Sequence, residues 1–147
     1  DVYPYWDTIK SKLQSNNSYQ RSIGLMLLAE NVKWDTENRM EGTIDEILLL
    51  LNDEKPITIR QCIQSLGKIA SAKPELNDKI ASRLISFNLN AVKETMRKPI
   101  LPDILNVLIV IRQRLRTDET ESFIFNALSG EILDKKSKKQ IEAALKG

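Results

Sequence analysis

The stretch Ile47-Leu-Leu-Leu-Leu-Asn-Asp-Glu-Lys-Pro-Ile-Thr-Ile-Arg-Gln-Cys-Ile-Gln-Ser-Leu-Gly-Lys-Ile-Ala70 decides the fold. Its first residues read as the end of an apolar helix, and Asn52 to Pro56 as a short polar turn. Ile59, Ile63, Leu66 and Ile69 then return at three- and four-residue spacing, the period of a helix with one buried face. Two helices joined in this way form a hairpin that cannot bury both apolar faces by itself. It needs neighbours, and a chain that repeats the unit is a stacked array.

The pattern extends in both directions. Upstream, Asp1 to Tyr3 lead into a helix over residues 4–15, with Pro4 in the first turn, where a missing amide costs no hydrogen bond, and Trp6, Ile9 and Leu13 on one side. Asn16 or Asn17 caps a second helix over 18–31. Asp35 is placed to cap a third, carrying Met40, Ile44, Ile47, Leu48 and Leu51; Gly42 inside that run points to close packing or to a late start near Thr43. Downstream of the fourth helix (57–72), Pro74 opens a fifth with Leu76, Ile80, Leu84 and Ile85, and 88–98 read as a longer connection with room for one helical turn around Val92 to Met96. The most apolar helix runs from Pro99 or Pro102 to Leu115. Thr117 or Asp118 caps a seventh through Phe123, Ile124, Ala127 and Leu128, closed by Ser129-Gly130, and a last one starts near Ser137 and carries Ile141, Ala144 and Leu145. The expectation is a single all-α domain over 1–147, about eight helices in four antiparallel hairpins with units at about 4–31, 35–72, 74–115 and 118–146.

Composition limits the chemistry. The longest apolar runs, 47–51 and 107–111, are far short of the ~20 residues of a membrane span, so no membrane partner is expected. With no histidine and one cysteine, the usual zinc ligand sets and the Ser-His and Cys-His pairs cannot be assembled. The five glycines are scattered, so no phosphate loop exists. These absences predict no cofactor, no metal, no catalytic residue and a non-enzymatic role. Asp53-Glu54 read as capping and solvated charge, and Cys62, beside Ile63 on an inner helix, as a small buried hydrophobe. A lone thiol suits a reducing compartment, which places the chain in the cytoplasm. A start at Asp1 without Met reads as a piece of a longer chain, and no secretory leader is expected.

Matching Arg60, Ile63, Leu66 and Ile69 to Arg21, Gly24 and Leu27 gives a repeat of 39 residues. Together with Leu66-Gly67 and the turn from Asp53 to Arg60, this resembles the HEAT-repeat pattern of the armadillo-like α-solenoids, whose period is ~40–47 residues. The resemblance implies a right-handed α-α superhelix. In that family the turn Asp and the basic residue opening the second helix bond between neighbouring repeats, which implies a structural role for Asp53, Arg60 and Arg21. The third unit departs from the pattern, with Pro102 where Arg60 would align, and the fourth keeps only Lys138 and the Ile141, Ala144 pair, as a terminal cap would.

Second helices of such hairpins line a concave side. The outward positions are then Ser22, Leu25 and Ala29, followed by Gln61, Gln64 and Lys68, and by Asp103, Asn106 and Val110. This mixture, polar and mostly uncharged with an exposed Leu25, suits a protein or peptide partner better than a phosphate backbone. The alternative is a nucleic-acid-binding module distantly like the HEAT-like alkylpurine DNA glycosylases, resting on Trp34-Asp35 as a groove wall and on Lys135, Lys136, Lys138, Lys139 and Lys146. Against it, Trp6 and Tyr19 serve to cover the open end of an array, and Arg112, Arg114 and Arg116 to complement a helix end. Nothing in the sequence bears on oligomeric state.

Overall fold

The apolar stripes become eight α-helices among the described residues, which are 2–147 of a computed structural model; Asp1, expected to lead into the first helix, lies outside them. They are α1 (Trp6–Ser11), α2 (Ser18–Asn31), α3 (Ile44–Leu49), α4 (Pro56–Ala72), α5 (Asn77–Ile85), α6 (Glu94–Arg112), α7 (Asp118–Ser129) and α8 (Lys135–Lys146). The protein is all-α, 77% helical, with no strand among the described residues. Side-chain caps start three helices: Asn17 accepts from the Tyr19 and Gln20 amides, Thr117 from Thr120 and Asp134 from Ser137.

α2, α4 and α6 lie side by side and make the most extensive contacts in the molecule. α8 packs on α6, α1 on α2, α5 on α4 and α6, and α7 on α5 and α6. Polar bridges link the flanking helices: Lys10 to Glu46 at 3.4 Å joins α1 to α3, and Lys79 to Asp45 at 3.0 Å joins α5 to α3. The core between them is Leu and Ile, with Leu25, Leu28, Ile63, Leu66, Ile80, Leu84, Ile104 and Leu108 all fully buried. α1 and the turn after it approach α2 closely at Gly24, where a Cβ would stand 3.0 Å from Lys12 Cβ and 3.2 Å from the Ile9 carbonyl oxygen.

Both ends of α6 differ from the sequence reading. α6 begins at Glu94, inside the expected connection, and runs through both Pro99 and Pro102. Each proline withholds an amide from the turn before it, yet burial of Ile100, Leu101, Ile104 and Leu105 holds the helix together. Leu115, counted in the stripe of α6, lies beyond its end and is exposed. α3 starts at Ile44, the late start near Thr43 that Gly42 allowed, while Asp35, expected to cap a helix, caps a loop instead. The Asp35 carboxylate accepts from the Arg39 and Met40 amides at 2.8 Å each and from Tyr3 Oη at 2.7 Å. Lys73 at the end of α4 donates to the Asp35 carbonyl at 2.7 Å, and Arg39 covers the Tyr3 ring. This knot ties the start of the chain to the loop before α3 and to α4.

Candidate functional site

Two arginine–aspartate pairs hold the central helices in register. Arg21 of α2 donates from Nε to Asp53 Oδ1 at 2.8 Å and from Nη2 to Oδ2 at 3.1 Å, and its Nη1 donates to the Ser15 carbonyl at 2.9 Å. Asp53 Oδ2 also accepts the Lys55 amide, so one carboxylate shapes the turn before α4 and anchors α2 to it. Arg60 of α4 reaches the other way, donating from Nε to Asp103 Oδ2 at 2.7 Å in α6. The Asp103 carboxylate raises the guanidinium of Arg60 above its already high range. Asp103, expected to face a partner, is thus buried in an ion pair, because at the α4–α6 seam it is the acceptor nearest Arg60.

The outer surface of α2, α4 and α6 carries three hollows. Between the N-terminal halves of α2 and α4 a groove of about 470 Å³ is walled by Tyr19, Ile23, Met26, Pro56 and Ile57. Tyr19, Met26 and Ile57 are 70%, 49% and 69% exposed, so an apolar rim stands open to water. Its floor is polar: Ser22 and Thr58 hydroxyls lie 3.5 Å apart, and the Gln61 Oε1 is enclosed with no hydrogen-bond partner among the described residues. Further along, Glu30 and Lys68 pair across the same two helices beside a second hollow that includes Ala29, and this bond to Lys68 draws the Glu30 carboxyl below its usual range. Gln64, Asp103, Asn106 and Val110 surround a third, between α4 and α6.

Eight of the nine residues expected on the face therefore line one of these hollows, and Leu25 lines none. Leu25 is fully buried and Ala29 and Ser22 nearly so, which corrects the expectation that they project outward. The cause is register. The burial of α2 matches that of α4 at an offset of 38 residues, Leu25 and Leu28 falling on Ile63 and Leu66, whereas 39 was taken from matching Arg21 to Arg60. One residue is about 100° of helix, enough to turn Leu25 into the core. At that offset Tyr19, Ile23, Met26 and Glu30 correspond to Ile57, Gln61, Gln64 and Lys68, and the last of these pairs is in contact. The sequence reading missed Ile23, Met26 and Ile57, although this outward stripe recurs at the same spacing in both helices.

The aromatic residues divide. Trp6 is 2% exposed and donates from Nε1 to Thr43 Oγ1 at 3.0 Å, while Tyr19 joins the groove and covers no end. Trp34 is exposed with Lys33 over its ring, but Asp35 is buried in the knot and lines no groove. Burial works to raise the Asp35 carboxyl; the amides of Met40 and Arg39, the Tyr3 hydroxyl and Lys73 outweigh it and hold the group below its ordinary range. Tyr3 is raised in turn, by its surroundings and by donating to Asp35. Burial also pushes the Cys62 thiol far up, and its Sγ donates to the Ile47 carbonyl at 3.2 Å. No helix among the described residues is long and apolar enough to cross a membrane. Compared with models of protein families, with curated proteins and with solved structures, the chain gives no match.

Proposed function

We propose that this chain is a short HEAT-like array, a right-handed α-α superhelix, that acts without catalysis by docking a protein partner on the surface of α2, α4 and α6. The array reading is supported by succession: α4 packs on α2, α6 on α4 and α8 on α6, each helix contacting the one two places before it, as stacked hairpins do. The observation that carries the docking is the open apolar rim of Tyr19, Met26 and Ile57 around the 470 Å³ groove. Single exposed apolar side chains are ordinary, but three around one hollow mark an interaction surface. The partner this suits is an amphipathic helix, whose i, i+3/i+4 and i+7 apolar side chains enter the groove while polar residues meet Gln64 and Asn106 of the hollow between α4 and α6. A buried, unreactive Cys62 suits a cytoplasmic setting.

The test is photo-crosslinking in the host cell with a benzophenone amino acid at Met26, and at exposed Ser86 as control. A discrete protein adduct from Met26 alone, abolished by Tyr19→Glu with Ile57→Glu, is expected. Equal labelling from Ser86, or an adduct that survives the double substitution, refutes the reading.

A further inference from the structure

The seam between α2 and α4 carries unneutralised charge of one sign beside its apolar rim. Five charged side chains line the three hollows of the outer surface: Lys55 at the groove, Glu30, Lys33 and Lys68 further along, and Asp103 between α4 and α6. Both acids are answered from within the chain, Asp103 by Arg60 and Glu30 by Lys68. The charges left over are lysines, since neither Lys33 nor Lys55 has an ion-pair partner among the described residues. Lys33 lies over the Trp34 ring, 5.3 Å from its centroid, a contact that holds the ammonium without cancelling its charge. Lys55 is the N-cap of α4, a position that a lysine side chain cannot cap, so the helix end adds to the same sign.

The charges are spaced along the seam. Lys33 follows Met26 by seven residues and Lys68 follows Ile57 by eleven, about 10 and 16 Å at the helical rise of about 1.5 Å per residue. A helix lying along the seam covers those distances in about two to three turns. There a basic side chain meets repulsion, whereas a carboxylate meets two ammonium groups set against one carboxylate, that of Glu30.

We infer that the partner helix is acidic: its apolar side chains seat among Tyr19, Met26 and Ile57, and its carboxylates, about three turns further on, reach Lys33 and Lys68. Lys55 sets the same sign at the mouth of the groove, so a partner with Lys or Arg at either end is disfavoured. The inference rests on the docking proposed above and adds to it the sign and the spacing of the partner's charges.

The test is an NMR titration of the ¹⁵N-labelled 147-residue chain with the helix-forming peptide acetyl-Gln-Leu-Ala-Gln-Ala-Leu-Ala-Gln-Leu-Ala-Gln-Ala-Glu-Ala-Gln-Glu-Ala-amide, and with versions carrying Gln or Lys in place of both Glu. Its Leu and Glu side chains share one face, with the first Glu three turns beyond the first Leu. Shifts at Met26 and Ile57 are expected from the Glu and Gln peptides, and shifts at Lys33 and Lys68 from the Glu peptide. At low salt the Glu peptide should bind about three- to tenfold more tightly than the Gln peptide, the scale of two partly exposed ion pairs, and the Lys peptide more weakly than either. The triple variant Glu30→Gln, Lys33→Gln and Lys68→Gln, all at exposed positions, should keep the shifts at Met26 and Ile57 and bind the three peptides alike. Equal affinity of the Glu and Lys peptides for the parent chain, with those shifts intact, overturns the inference and leaves the docking standing. Shifts of the Glu peptide centred on Lys135 to Lys139 overturn it as well, as do shifts at Met26 and Ile57 that grow with the concentration of the chain alone and assign the groove to a second copy. Absence of shifts at Met26 and Ile57 with every peptide removes the docking and this inference with it.

Discussion

Replacing Asp53 by Ala tests the account of how α2 is locked to the turn before α4. The Arg21 and Asp53 side chains are 10% and 7% exposed, and two parallel N–H to oxygen bonds join them. Removing the carboxylate leaves a guanidinium enclosed with two donors unmet, retaining only its bond to the Ser15 carbonyl, and frees the Lys55 amide. Stripping one partner from a buried pair costs about 3–5 kcal/mol, because the remaining charge stays out of water uncompensated. For a chain of this length each kcal/mol lowers Tm by about 2–4 °C, so a fall of roughly 6–20 °C is expected. The second pair supplies the contrast. Arg60 is 38% exposed, so Asp103→Ala, which leaves that partly hydrated guanidinium as the unpaired charge, should cost less, about 1–2 kcal/mol. The double variant Arg21→Met with Asp53→Leu should recover most of the loss, since apolar side chains of similar volume replace a buried pair at little cost. Urea unfolding followed by circular dichroism measures all three. A loss below about 1 kcal/mol for Asp53→Ala, or an equal loss for Asp103→Ala, refutes the reasoning, because the former value belongs to a solvated surface pair.

Two further predictions concern the knot and the helix contacts. Asp35 has a lowered folded pKa, so its contribution is fully present above the ordinary carboxylate value of about 3.9 and is lost as pH falls through the folded one. Asp35→Asn should therefore lose about 1–3 kcal/mol at pH 7, with the gap to the parent closing as pH drops from 5 toward 2; a gap independent of pH argues against an ionised Asp35. Gly24→Ala should destabilise by about 1–3 kcal/mol through overpacking against Lys12 and Ile9. Gly67→Ala, whose new Cβ would meet only Val107 Cγ2 at 3.5 Å, should be neutral or gain up to about 1 kcal/mol of helix propensity. Thermal melts giving both changes the same sign would show that the α1–α2 approach at Gly24 is not limiting.

Helices were legible wherever a stripe of Leu and Ile met a cap of known chemistry. Residues 18–31 match α2, with Asn17 as its cap, and Thr117 caps α7 as the sequence allows. The start of α6 was hidden because proline is a local signal and burial is a tertiary one. Pro99 and Pro102 each read as a beginning, yet the residues between and after them are buried so fully that the helix persists through both. The knot was hidden for a similar reason. Asp35 has a plausible local role as a helix cap, and only its approach to Tyr3 and Lys73, 32 and 38 residues away, gives it another.

The face of the central helices illustrates why similar residues are poor markers of register. Arg21 and Arg60 each stand near the start of a helix and each pair with an aspartate, so aligning them is natural. The side chain is long enough to seek an acceptor wherever one lies, and it does so differently in the two cases: Asp53 is in a turn, 32 residues on, and Asp103 is inside a helix, 43 residues on. Fully buried apolar residues have no such reach. Leu25 and Leu28 match Ile63 and Leu66 in burial at an offset of 38 residues, and the same offset makes Tyr19 correspond to Ile57 and Met26 to Gln64, all four exposed. Register read from the core instead of from the charges moves the apolar Met26 to the surface and the apolar Leu25 away from it. The groove follows from that rotation: two helices whose exposed stripes begin with Tyr19 and Ile57 leave apolar surface at one end and the Glu30–Lys68 pair at the other. An amphipathic partner would bind in one direction along such a gradient, its apolar end over Tyr19 and Ile57 and its charged end beside Lys68.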